Sequence, residues 1–243
     1  MFPLLPDLRS RRVRSEAMDD PGLHESDLLP ALRGLRRINR VSSPFRRQWR
    51  AIREYSRRRR EPSAREPLRL LDVATGSGDF PRDIARRATR AGFPISVTAI
   101  DRNPAALREA ERLTDPSLPV RFECADVLDP RLRWPAADVV TVNLFLHHLE
   151  DDAAVAFLRR LAAVAPFGIV SELQRGRAAW MTAWAGGRML SRSWVVGRDA
   201  PDSVRAGFRR RELYSMAEEA GLGDPLVRSC FPFRWLLTFR GGA

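Results

Sequence analysis

Residues 68–88 read LRLLDVATGSGDFPRDIARRA. A mostly apolar run meets an acid, Asp72, then a turn of small residues, then a helical pattern from about residue 80. Gly76 and Gly78 allow the backbone of that turn to approach a ligand with no Cβ in the way. The stretch is therefore a strand, a ligand-facing turn and a helix, and it sets the fold.

Downstream the same alternation continues. Strands are expected at 95–101, 120–126, 137–145 and 167–173, with helices at 103–113 and 151–164. The run ADVVTVNLF (137–145) is apolar after its acid, as a strand covered on both faces should be. Repeated β-α-β units imply an α/β fold with a doubly wound, Rossmann-like and mostly parallel sheet. The chain closes differently. A helix over 211–220 precedes LVRSC (226–230) and FRWLLTF (233–239), too close for a crossover, so they read as an antiparallel pair at one edge.

Upstream, residues 1–25 lack a sustained period and read as a basic, flexible tail. Over 26–66, Leu28, Leu29, Leu32, Leu35 and Ile38 form one amphipathic stripe. Ser43-Pro44 marks a new helix start, and Phe45, Trp49, Ile52 and Tyr55 form a second stripe before EPSAREP (61–67) breaks it. These helices form an expected lid over the domain at 67–243, joined by a helical insertion at about 176–208.

Composition removes several chemistries. The chain of 243 residues has a formal net charge of +12, and all 42 basic residues are arginine. Without lysine there is no Walker P-loop, lysine Schiff base or pyridoxal-phosphate linkage. Of the arginines, 17 lie in residues 1–66 beside 9 acids, a basic bias that RNA would also suit. Cys124 and Cys230 lie in no motif and read as packed, reduced thiols. No apolar run approaches the roughly 18 residues of a membrane span, and the N-terminus lacks a signal-peptide pattern, so a cytoplasmic location is expected.

In an open parallel sheet the ligand lies beyond the carboxyl ends of the strands. Three acids stand at such ends: Asp72, Asp101 and Asp126. Asp101 suits a ribose diol. A dinucleotide is disfavoured, because the third glycine of GxGxxG counted from Gly76 would be Pro81.

LLDVATGSGD, VTAIDRNPAAL, ECADVLD and ADVVTVNLFLHHLEDD together resemble the class I S-adenosylmethionine-dependent methyltransferases, over roughly residues 67–240. Ala74 replaces the first glycine of DxGxGxG, a departure similar to that of ubiquinone/menaquinone-biosynthesis methyltransferases. The resemblance implies S-adenosyl-L-methionine as cofactor. Asp72 would anchor its methionine end; Ala74, Gly76, Ser77 and Gly78 would wall it; Asp101 would take the ribose and Arg102 would flank the adenine. Asp126 and Val127 would meet the adenine, and Asn143 would lie near the methionine. RDAPDSVRAGF (198–208) resembles a segment of bacterial methyltransferases accompanying polyketide or quinone pathways, with Ser203 and Arg205 as acceptor contacts.

The protein's own work in methyl transfer is to position the acceptor and, for a hydroxyl, to remove a proton. His147 and His148, just past the fourth strand, are the candidate bases. No metal is expected, because adjacent helical histidines point apart. Phe45, Trp49, Trp180, Met181, Trp184 and Trp194 are expected to wall an apolar pocket. These features favour O-methylation of an apolar phenol, quinol or polyketide-like small molecule, with no nucleic-acid partner and an open oligomeric state. Two rivals stand: an RNA-directed methyltransferase and a non-catalytic cofactor-binding partner protein.

Overall fold

The structure is a computed structural model, described here over residues 6–20, 22–42, 44–59 and 66–242. Two N-terminal helices, α1 (Glu25–Ser42) and α2 (Phe45–Arg59), precede the sheet domain. Ser43, read as the helix cap, and residues 61–65 of the expected break lie outside the described residues. Then follow β1 (Leu68–Val73), α3 (Asp79–Arg90), β2 (Ile95–Asp101), α4 (Pro104–Leu113), β3 (Val120–Cys124) and β4 (Val139–Asn143). After a 3-10 turn at Leu146–His148 come α5 (Asp151–Val164), β5 (Phe167–Leu173), α6 (Arg177–Leu190) and α7 (Trp194–Ala206). The chain ends with α8 (Arg210–Glu219), β6 (Gly223–Cys230) and β7 (Arg234–Arg240).

The strand order is β3-β2-β1-β4-β5-β7-β6. β1 to β5 run parallel, whereas β7 pairs antiparallel with both β5 and β6. The order reverses between β1 and β4, which opens a crevice at their carboxyl ends. Alternation along each strand divides the core. Leu71, Val73, Val140, Val142, Val170 and Leu237 face α5 and α8. Leu68, Leu70, Val139, Ile169 and Leu236 face α2 and α3, meeting Ile52, Phe80 and Ile84. At about 25 cal/mol per Å² of buried apolar surface, these two layers dominate folding.

The N-terminal region departs from expectation. Residues 6–20 are tied to the domain rather than loose. The buried Arg11 side chain donates to the carbonyls of Ala206 (2.8 Å), Leu146 (3.2 Å) and Leu149, and pairs with Asp151. Asp199 on α7 accepts from the backbone N–H groups of Ala17 (3.0 Å) and Met18 (3.1 Å). A helix-terminal carbonyl cluster and a buried carboxylate thus supply partners that a tail sequence does not reveal. α2 is likewise no detached lid, since its apolar stripe completes a layer of the sheet.

Candidate functional site

A cavity of about 400 Å³ opens over the ends of β1, β2, β4 and β5. Its floor is the turn after β1. Ala74 (φ 54°), Gly76 (φ 56°) and Gly78 (φ 69°) all adopt left-handed backbone, and so does Leu144 (φ 58°) after β4. A side chain at Gly78 would meet the Phe122 ring at 2.9 Å, so glycine there permits close packing as well as the turn. Strained positions of this kind, clustered at two strand ends, are typical of ligand sites.

The three strand-end acids are placed as follows. Asp72 is buried and accepts from the hydroxyls of Thr75 (2.6 Å) and Thr141 (2.8 Å), with the Asn143 amide at 3.5 Å. Burial with no cation beside it pushes its pKa up to about 7. Asp101 accepts from the backbone N–H of Gly76 (2.6 Å) and of Asn103 (2.9 Å), and burial raises its pKa also. Asp126 is exposed at the rim and accepts from the Leu128 N–H at 2.8 Å. All three line the cavity with Ala74, Gly76, Ser77, Arg102, Val127 and Asn143, so each residue assigned to the cofactor except Gly78 faces the space. Gly78 serves instead as the N-cap of α3.

Beyond Asn143 the cavity changes character. His147 is buried with its Nδ1 2.8 Å from Glu172 and its Nε2 3.5 Å from Glu16. Burial alone would lower its pKa, but the Glu172 charge and the Glu16 contact raise it to about 9. A histidine so held favours its protonated form, the opposite of what a general base needs. His148 is less buried, with Nδ1 2.7 Å from Asp19 and Nε2 3.9 Å from Glu16. Ser203 donates to Glu16 and to the carbonyl of Asp199 (2.8 Å). Burial pushes the Glu16 pKa upward, but its contacts with His147 and His148 win, and the net shift is down. Glu172 behaves the same way, its burial outweighed by His147.

Sequence reading missed Glu16, Asp19 and Glu172. Glu172 could have been found as the one acid inside the apolar strand FGIVSEL. It accepts from the N–H groups of Phe145 (2.7 Å) and Leu146 (2.6 Å), so it shapes the turn that carries both histidines. The two rings do not point apart; a 3-10 turn rather than an α-helix sets them 4.3 Å apart, both facing Glu16. Glu16, His147 and His148 bring ligand atoms within 4.8 Å of one another, the spacing of a metal site, yet each is already engaged in ion pairs.

The aromatic wall is corrected. Phe45 lines the cavity, but Trp49, Trp180, Met181, Trp184 and Trp194 do not. Trp49 packs edge-on against Phe93, Trp180 is buried beside Val204, and Trp184 stacks under Arg188. Trp194 is exposed and donates to Asp27 (3.1 Å). The face of α6 turned to the cavity is mostly small instead, Ala179, Thr182, Ala183, Gly186 and Gly187, with Leu190 at its C-terminal end. Leu32, Leu35 and Ile38 of α1 stand opposite. Arg205 also lies away from the cavity and pairs with Asp202 at 2.9 Å, whereas Ser203 lines it.

Comparison with known proteins agrees with this geometry. Residues 70–167 match the family described as a methyltransferase domain. The chain superposes on the plantazolicin methyltransferase BpumL, crystallised with a triazolic desmethylPZN analog and SAH (TM-score 0.60, 14% identity, 90% of this chain and 100% of that one). It also superposes on a SAM-dependent methyltransferase from Aquifex aeolicus (TM-score 0.56, 17% identity, 84% and 92%). Human N-acetylserotonin methyltransferase in complex with SAM gives a TM-score of 0.53 at 14% identity, over 72% of this chain and 48% of that one. The chain spans about half the length of that protein, of the citrinin polyketide synthase CMeT domain (48%) and of a Nostoc punctiforme structure (56%). No curated protein sequence matches it significantly. Residues 70–167 thus resemble a methyltransferase domain, and the fold is the one these S-adenosylmethionine-dependent methyltransferases share.

Proposed function

We propose that the protein transfers a methyl group from S-adenosylmethionine to the oxygen of an apolar small molecule, a phenol or a related polyketide-like acceptor. One observation carries the donor half: Asp72 and Asp101 face the cavity with no basic side chain bridging either among the described residues. A ligand with an ammonium and a diol supplies the missing donors, and the left-handed turn leaves its sulfonium room. The acceptor half is supported by its lining. The cavity is lined by aliphatic and small residues of α1 and α6 and by the polar groups Glu16, His148 and Ser203.

The chemistry follows from the placement. The cofactor supplies an electrophilic methyl carbon, and the protein aligns the acceptor oxygen for in-line displacement. His148, backed by Asp19 and Glu16, takes the hydroxyl proton. His147 stays charged between Glu16 and Glu172 and fixes the position of Glu16. The basic N-terminus gives the RNA-directed reading little support, because Arg11, Arg12, Arg14, Arg36 and Arg58 pair with acids of the same chain.

The testing experiment is release of S-adenosylhomocysteine in the presence of a panel of alkyl-substituted phenols. Turnover with at least one member is expected. Tight binding of S-adenosylhomocysteine with no turnover across the panel would favour the non-catalytic reading. No helix among the described residues is long and apolar enough to cross a membrane.

A further inference from the structure

Arg234 opens β7 and is buried, yet it lines the cavity. Its guanidinium carries five N–H donors. Among the described residues these make one hydrogen bond, to the Ser42 hydroxyl at 3.3 Å, and no salt bridge. Burial lowers its pKa to about 10, which still leaves it charged at neutral pH. The Glu172 charge opposes that burial but makes no hydrogen bond to the guanidinium. A buried guanidinium with most of its donors unmet is costly, and a natural core rarely keeps one unless a ligand completes it.

Sheet alternation shows what the charge faces. Leu236, two residues on, packs in the α2 and α3 layer with Leu70, Val139 and Ile169. Arg234 therefore lies on the same face as Asp72, Asn143 and Ser171, in a polar row at the strand ends. Within that row Gln48 of α2 donates from Nε2 to Asn143 (2.8 Å), while its buried Oε1 has no partner. The row crosses the sheet from an unbridged carboxylate on β1 to an unbridged guanidinium on β7.

Distance separates two sources of an anion. Neighbouring strands lie about 4.8 Å apart, so the three steps from β1 to β7 put Arg234 roughly 14 Å from Asp72 along the sheet. An amino-acid group whose ammonium sits at Asp72 keeps its carboxylate close to that end. The space over β5 and β7 is lined by Leu173, Pro232 and Phe233 beside Arg234.

We propose that Arg234 is a carboxylate-binding subsite for the methyl acceptor, so that the natural acceptor is an apolar hydroxy acid rather than a neutral phenol. The subsite rests on the methyl-transfer reading above and specifies its substrate class. The guanidinium fork grips the carboxylate at the β7 end, and the hydroxyl reaches His148 and Glu16.

The test uses 3-pentyl-4-hydroxybenzoate and its methyl ester, titrated into full-length protein saturated with S-adenosylhomocysteine. Wild type is expected to bind the acid at least tenfold more tightly than the ester. Arg234→Gln should abolish that preference and Arg234→Lys should keep part of it, with melting temperatures certifying that both variants are folded. Affinity for S-adenosylhomocysteine should stay within about twofold in all three proteins. The proposal is overturned if wild type fails to bind the acid, binds acid and ester alike, or keeps its preference as Arg234→Gln. It is overturned equally if Arg234→Gln weakens S-adenosylhomocysteine but not 5′-methylthioadenosine, because the guanidinium then serves the cofactor's own carboxylate. Those results leave the donor reading standing, whereas absence of S-adenosylhomocysteine binding to wild type would defeat both.

Discussion

The two halves of the cavity handle charge in opposite ways. Under β1 and β2, Asp72 and Asp101 are satisfied only by hydroxyl, amide and backbone N–H donors. Near β5, Glu16, Asp19 and Glu172 are each set against a histidine. Buried carboxylates whose burial outweighs any nearby cation hold a raised pKa and await a cationic or hydroxylated ligand; carboxylates paired with imidazole are organised before any ligand arrives. On the proposed function, the first half would receive the cofactor and the second would handle the acceptor's proton. The site variants below should each damage one half and spare the other, and a surface control should spare both.

The largest effect is expected at Asp101→Ala. Losing a charged acceptor for two ribose hydroxyls should weaken S-adenosylhomocysteine by roughly a hundredfold or more, read by calorimetry. Unchanged affinity would remove Asp101 from the donor site. Glu16→Gln should act on the other half. Turnover should fall about a hundredfold, as for loss of an acid–base group, while S-adenosylhomocysteine binds as before. A matching loss of cofactor affinity would merge the two halves into one.

Titration sharpens the same contrast. Because the Asp72 pKa rises from 3.8 to about 7, its protonated form prevails in the empty protein below that pH. A cofactor ammonium pairs with the ionised form. Binding of S-adenosylhomocysteine should therefore weaken about tenfold per pH unit below about 7 and level off above it. The sign for the free protein is opposite: this group's contribution to stability is full below about pH 4 and is lost as pH rises through about 7. Asp72→Asn should flatten the binding profile. The smallest effect is expected at Trp194→Ala. This exposed residue should alter stability by no more than about 0.5 kcal/mol and the acceptor KM by less than twofold.

The same division marks what the sequence discloses. The receptor half was legible because each part is local: a strand, its terminal acid and the turn that follows. β2 (Ile95–Asp101), α5 (Asp151–Val164) and β5 (Phe167–Leu173) fall where their periodicity places them. Asp72, Asp101 and Asp126 could be named for the cavity because strand ends gather on one side of a parallel sheet, and Asn143 through the family resemblance. The proton-handling half comes from distant segments. Glu16 reaches His147 only because Arg11 and Asp199 pin the N-terminal strand of chain, and no local pattern encodes that contact. The tryptophans misled for a related reason: aromatic spacing reports burial, not the side from which a cavity is seen. Small residues on α6 line the cavity, and small residues leave no signal in a hydrophobic stripe. Arg234 reads in sequence as one polar position in a strand, and only its burial with no salt bridge and most donors unmet makes it informative.

The central claim is that the crevice at the reversal between β1 and β4 receives a sulfonium nucleoside. Titration calorimetry of the wild-type chain with S-adenosylhomocysteine at pH 7.5 tests it most directly. One site per chain, lost in Asp101→Ala while the melting temperature holds, is the predicted result. A well-folded sample that releases no heat, or that binds as tightly without Asp101, would contradict it.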